Sequence, residues 1–216
     1  MKTTSFSLAL FLLICFSPVI AQNTPKKAAE DISTDLVQAA LERTAHQVTY
    51  NGSYRKIAYP GGDVPDTIGV CTDVVIRSYR KIGIDLQKEV HEDMRANFSV
   101  YPKSWGLKRP DTNIDHRRVP NLQVFFRRHG MELSVTNDSQ ENAQEYKAGE
   151  LVTWMLPGNL PHIGIVTDKI SADGQRPMIV HNIGRGPQLE DMLFRYRITG
   201  HYVYPLNLCV YPFRHP

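Results

Sequence analysis

Gly69-Val70-Cys71-Thr72-Asp73-Val74-Val75 is the stretch from which the rest of the 216-residue chain is best read. Gly69 permits a tight turn, and an apolar helical pattern begins immediately after it. Cys71 is thus expected in the first turn of a helix that runs to about Ile82 and is ended by Gly83. Unpaired backbone N–H groups and the positive end of the helix dipole stabilise a thiolate at such a position. The thiolate is the nucleophile in cysteine catalysis, and the same N–H groups can hold a developing oxyanion. A lowered thiol pKa is therefore expected at Cys71. Two rival readings remain open, a buried structural cysteine and one half of a disulfide with Cys209.

Outward from this stretch, the first half reads as helices. Ile32, Leu36, Val37, Ala40 and Leu41 recur at helical spacing between Asp31 and about Gln47. Residues 50–70, rich in Gly, Pro, Asp and Tyr, read as loop. A further helix is expected from about Asp85 to Phe98, with Leu86, Val90, Met94 and Phe98 at four-residue steps. A short one is expected from Asn121 to His129, stopped by Gly130. The second half changes period. Glu150 to Leu156, His162 to Thr167, Pro177 to Ile183 and Tyr196 to Tyr204 are β-rich runs broken by Pro, Gly and Asp. Helices followed by strands imply an α+β fold, with helices packed on one face of a small antiparallel sheet.

Two of these strands carry histidines. If the runs holding His162 and His181 form a hairpin centred between Ser171 and Ala172, the two histidines stand directly opposite each other. Opposed residues share a sheet face, with Cβ atoms roughly 5 Å apart. Gly164, on the same face, leaves space for a helix end to approach. A base histidine oriented by a second polar group, facing a helix-borne cysteine, follows the logic of a catalytic triad. Cys71, His162 and His181 are therefore the expected catalytic residues.

Composition narrows the alternatives. Hydrophobic residues make up 42% and charged residues 22%, within the globular range. A net charge of +3 is too small to imply nucleic acid, and no basic stretch alternates with aromatics. Residues 1–21 combine a basic start at Lys2, an apolar run from Phe6 to Phe16 and a small-residue site ending at Ala21. They read as a signal peptide, followed by an N-terminal extension and helix over 22–44 and one domain over 45–216. A periplasmic or secreted protein is expected, with no membrane span in the mature chain. Cleavage removes Lys2 and no acid, leaving a charge of +2, and keeps only Cys71 and Cys209 of the three cysteines.

At these residues the chain resembles the NlpC-type branch of the papain-like cysteine peptidases. The resemblance rests on Gly-Val-Cys71-Thr-Asp73, His162-Ile-Gly-Ile-Val and Ile-Val-His181-Asn. It is closer still to an uncharacterised secreted bacterial family, a domain of unknown function placed in that superfamily, over roughly Ala45 to Tyr204. Val-His-Glu-Asp-Met-Arg, Arg-Pro-Asp-Thr-Asn-Ile-Asp-His-Arg-Arg-Val-Pro-Asn-Leu and Trp-Met-Leu-Pro-Gly-Asn-Leu-Pro-His carry that likeness. The resemblance implies a papain-like fold and hydrolysis of an amide bond in a cell-wall (peptidoglycan) peptide. It also implies a Cys-His-His triad and an acyl-enzyme; from the residues themselves, neither a cofactor nor a metal is expected. NlpC-type enzymes usually have Asp-Cys-Ser where this chain has Val70-Cys71-Thr72, so substrate contacts near the nucleophile should differ.

Asp111 to Arg118 packs many polar groups into one loop. Asp73 beside the nucleophile, with Asp115, His116 and Arg117 in this loop, are the expected substrate contacts, an arginine there suiting a carboxylate. The bland alternative is a solvated loop capping the next helix. Two other functions compete with the hydrolase: a non-catalytic wall-binding module of the same fold, and a zinc hydrolase built from His116, His162, His181 and His201. His91-Glu92-Asp93 lacks the second histidine, four residues on, that a zincin helix needs.

Overall fold

The structure, a computed structural model, describes residues 24–136 and 140–205. The expected signal peptide and Cys209 lie outside the described residues.

Helix α1 (Thr24–Arg43) starts and ends earlier than its apolar spacing predicts. It stops where the Thr44 hydroxyl turns back to donate to the Leu41 carbonyl. The expected loop 50–70 contains a short parallel ribbon of β1 (Thr49–Tyr50) and β2 (Ile68–Gly69). Gly69 is thus strand rather than turn. A Cβ on it would lie 3.2 Å from that of Asp73 and 3.4 Å from the Arg77 guanidinium. The missing side chain lets Asp73 fold back over the strand end.

Helix α2 (Cys71–Lys81) begins at the predicted cysteine. The Asp73 carboxylate accepts the Val70 N–H at 2.7 Å, which holds the first turn closed. Val74, Val75 and Tyr79 are buried along its inner side. In α3 (Leu86–Asn97), Asp85 caps the start by accepting the Gln87 N–H at 3.1 Å. Helix α4 (Val119–His129) starts two residues before the predicted Asn121, because Pro120 suits a first helical turn.

The strands β3 (Met131–Glu132), β4 (Leu151–Leu156), β5 (Leu160–Ile170), β6 (Pro177–His181), β7 (Gln188–Glu190) and β8 (Arg197–Val203) form one sheet. Its order is β3-β8-β4-β5-β6-β7, antiparallel throughout. The architecture is α+β, as the change of period implies. Alternation along the strands gives the sheet two buried faces. Leu151, Ile163, Ile165, Val180 and Tyr202 pack with the helices, alongside Val75, Leu122 and Phe126. Val152, Trp154, Val166 and Ile179 point the other way, under Tyr146, Met192 and Leu193. No helix among the described residues is long and apolar enough to cross a membrane.

Candidate active site

Cys71 carries a free thiol and is 4% exposed, packed into the core between helices and sheet. Its sulfur faces the backbone N–H of Ile163 and the helix-start N–H groups of Cys71 and Thr72. The hydroxyl of Tyr50 also reaches it. The Ile163 contact places the sulfur one residue from His162 on β5. The expected lowering of the thiol pKa is not what this environment produces. Burial dominates and pushes the thiol up to about 11, against the opposing pull of the N–H groups. The resting group is a thiol.

His162 and His181 meet, though by a different register from the one expected. Ile165 pairs with Val180 and Val166 with Ile179, with an irregularity before Ile170 pairs with Pro177. This is a two-residue displacement from the symmetric hairpin. A one-residue slip would have put the histidines on opposite faces, whereas two residues restore the face and make them diagonal neighbours. His162 Nε2 lies 2.9 Å from His181 Nδ1, the rings nearly perpendicular at 89°. Both histidines are 1% exposed. Burial, and then the neighbouring His181, pull the His162 pKa down to about 3. Burial likewise lowers that of His181, opposed by the Glu190 carboxylate, whose Oε2 lies 2.8 Å from His181 Nε2.

Gly164 makes this arrangement possible. A Cβ there would lie 2.6 Å from Ile179 Cγ2, 3.0 Å from the Val180 carbonyl and 3.1 Å from His181 Cβ. A backbone oxygen cannot rotate away. Gly164→Ala is therefore expected to cost roughly 1–3 kcal/mol of stability and to spread β6 from β5. A lowered melting temperature with shifted His181 imidazole NMR signals would confirm this, and wild-type values for both would refute it.

The expected substrate contacts are turned inward. Arg117 forms a bidentate pair with Asp73, Nε to Oδ1 and Nη2 to Oδ2 both at 2.8 Å, with each side chain 2% exposed. Its remaining N–H groups reach the carbonyls of Ser53 and Asn51 at 3.4 Å. The pair ties the segment after Tyr50 to the start of α2, so it holds the Cys71 environment together. Asp115, 1% exposed, accepts the Asp111 N–H at 2.5 Å and Arg118 at 3.0 Å. His116 is 3% exposed, and burial lowers its pKa to about 4. All four residues are buried, and the side chains of Asp73, Asp115 and Arg117 are engaged within the chain. Among the described residues, no group of three His, Cys, Asp or Glu side chains could hold a metal ion. His201 is instead engaged by Glu150 at 2.5 Å and stacked on Tyr146.

Residues 37–204 match the family described as "Domain of unknown function (DUF1287)". The chain belongs to the DUF1287 family. It is also similar to the Escherichia coli (strain K12) protein named "Uncharacterized protein YijF". The two are 49% identical over 169 residues, covering 78% of this chain and 80% of that relative. The DUF1287 match takes in Cys71, His162 and His181, together with two residues that sequence reasoning missed. Tyr50 sat in a stretch read as featureless loop. Glu190 sat in a segment with no strand pattern, and β7 is only three residues long. Neither offered a local signal, since each reaches the site through a long-range contact.

Proposed function

We propose that this chain is a papain-like cysteine hydrolase of the NlpC type, cleaving an amide bond in a cell-wall peptide. One observation carries the proposal: His162 and His181 form a buried pair 2.9 Å apart, and the Cys71 sulfur at the α2 start meets the backbone N–H of Ile163, the residue that follows His162. Helix-borne cysteine, strand-borne histidine and a polar residue on the next strand follow in the order the resemblance implies. Export belongs to the same reading, because residues 1–21 have the pattern of a signal peptide and the wall lies outside the cytoplasm.

In this mechanism Cys71 attacks the substrate carbonyl while His162 Nδ1 takes the thiol proton, His162 Nε2 being engaged by His181. The helix-start N–H groups and the Tyr50 hydroxyl donate to the oxyanion. Burial, with the nearby Cys71 and Asp73, raises the Tyr50 pKa to about 12, so its hydroxyl keeps its proton at neutral pH. The intermediate collapses, His162 returns the proton to the leaving amine, and an acyl-enzyme remains. Water, deprotonated by His162, then releases the acid and the thiol. Thiol and imidazole are both neutral at rest, so proton transfer accompanies attack rather than preceding it.

The resting thiol has a measurable consequence. A pKa raised toward 11 means that the thiolate fraction is still growing well above pH 9. Iodoacetamide labelling, read by mass at the Cys71 peptide, is expected to accelerate throughout pH 8.5–10 in the native protein. In the denatured protein it should level off near the free-thiol value of about 8.5. A native plateau below pH 8 would show a thiolate at rest.

The function itself is tested by incubating the mature protein with purified peptidoglycan and identifying released fragments by mass. New fragments carrying a freed carboxyl or amine at a peptide-stem bond are expected. Co-sedimentation with peptidoglycan without any new fragment would instead establish a binding module.

A further inference from the structure

We infer that Glu190 is a positioning residue that sets the proton arrangement of both imidazoles and so leaves His162 Nδ1 as the basic nitrogen. The inference rests on the hydrolase reading for its purpose but not for its geometry. Three groups form one line: His162 Nε2 to His181 Nδ1 at 2.9 Å, and His181 Nε2 to Glu190 Oε2 at 2.8 Å. An ionised carboxylate only accepts hydrogen bonds, so His181 must carry its proton on Nε2. A neutral His181 then has a lone pair on Nδ1 and accepts from His162. His162 in turn must carry its proton on Nε2, and its Nδ1 keeps a lone pair. Reversing any one bond would require reversing all of them, and the carboxylate end cannot be reversed. His181 alone, which both donates and accepts, would leave two proton arrangements open.

The same line helps when His162 is protonated. The proton leaves the Cys71 sulfur and bonds to His162 Nδ1, and His162 becomes an imidazolium. Its Nε2–H is then held by His181, whose own Nε2–H points at a negative charge. Glu190 therefore stabilises the charged state through His181 without touching substrate. Glu190 is also the member of the line that solvent reaches. Its side chain is 33% exposed, whereas those of both histidines are buried. It borders a groove of about 700 Å³ lined also by His46, Gln47, Arg185 and Gln188.

The test compares wild-type mature protein with Glu190→Gln and Glu190→Ala, using ¹⁵N-labelled imidazoles. In the wild type at neutral pH, both His162 and His181 are expected to be protonated at Nε2 and bare at Nδ1. Glu190→Ala should give a mixture of proton arrangements at both rings and lower the rate of peptidoglycan fragment release. The fall should be about ten- to a hundredfold, the range of one charge-assisted hydrogen bond. Glu190→Gln, whose amide oxygen can still accept, should restore the Nε2–H arrangement and part of the rate. An unchanged spectrum for the remaining residues shows that the variants are folded. Wild-type imidazoles protonated at Nδ1, or a folded Glu190→Ala with unchanged ring signals, would overturn the inference. If the rings respond as expected while the wild type releases no fragment, the positioning role stands and the hydrolase reading falls.

Discussion

Cys71→Ala is expected to abolish fragment release from peptidoglycan while leaving the fold intact. Removing a nucleophile that acts in concert with its base costs on the order of 10⁴-fold or more in turnover, because the remaining groups have nothing to activate. The structural cost should be small by comparison. Cys71 is buried in the helix–sheet core, and deleting its sulfur leaves a gap smaller than one methylene-rich side chain would, worth about 1 kcal/mol. Binding should survive as well, since the N–H groups of the α2 start and the Tyr50 hydroxyl do not depend on the sulfur. Turnover and retention on peptidoglycan, measured side by side, separate these effects. A Cys71→Ala protein that releases fragments at the wild-type rate would remove the cysteine from the chemistry. Fragment release by that variant would also redirect attention to the two histidines acting on water alone.

Asp73→Ala is expected to have the largest effect on stability. It would leave the Arg117 guanidinium buried without its carboxylate, and would free the Val70 N–H at the start of α2. Breaking a buried ion pair from one side costs about 3–5 kcal/mol, since the orphaned charge has no compensation. In a domain of this size that corresponds to a fall of roughly 10 °C in melting temperature. The loss should be smaller when Arg117→Met accompanies it, because the unpaired charge is then gone as well. A double-mutant cycle in which the two losses simply add would show that the pair is not coupled. The prediction also distinguishes a supporting role from substrate binding. A carboxylate that met substrate would, on removal, raise the substrate concentration needed for activity with little change in melting temperature.

Several parts of this architecture were legible from local pattern. The α2 start at Cys71 is readable because the apolar helical spacing of Val74, Val75 and Tyr79 begins directly after it. The sheet is readable because β-branched residues alternate in short runs between turn residues. That His162 and His181 share a face follows from strand parity, and it survives a two-residue error in register. Boundaries were less legible. Both α1 and α4 begin earlier than apolar spacing predicts, because Pro120 and the polar start of α1 carry no apolar signal of their own.

The loop Asp111–Arg118 shows what sequence pattern leaves open. A dense run of charged and polar residues looks the same whether it faces a ligand or is consumed internally. Arg117 meets a carboxylate, as its chemistry suits, but the carboxylate is Asp73, forty-four residues away. The thiol pKa departs from the helix-start expectation for a related reason. Helix-start N–H groups are visible in the sequence, whereas the burial that outweighs them depends on what packs over Cys71.

By itself, the amino-acid sequence determined the α+β class, the helix that opens at Cys71 and the shared face of the two histidines. Each follows from interactions within one helix turn or from the two-residue period of a strand. Only the tertiary structure decided the diagonal register that brings His162 to His181, and the Glu190 carboxylate that closes the line. It alone also decided the inward turn of Arg117 and the protonated state of the thiol. Those depend on groups distant in sequence being desolvated together, and desolvation is a property of the packed molecule, which no local stretch of residues carries.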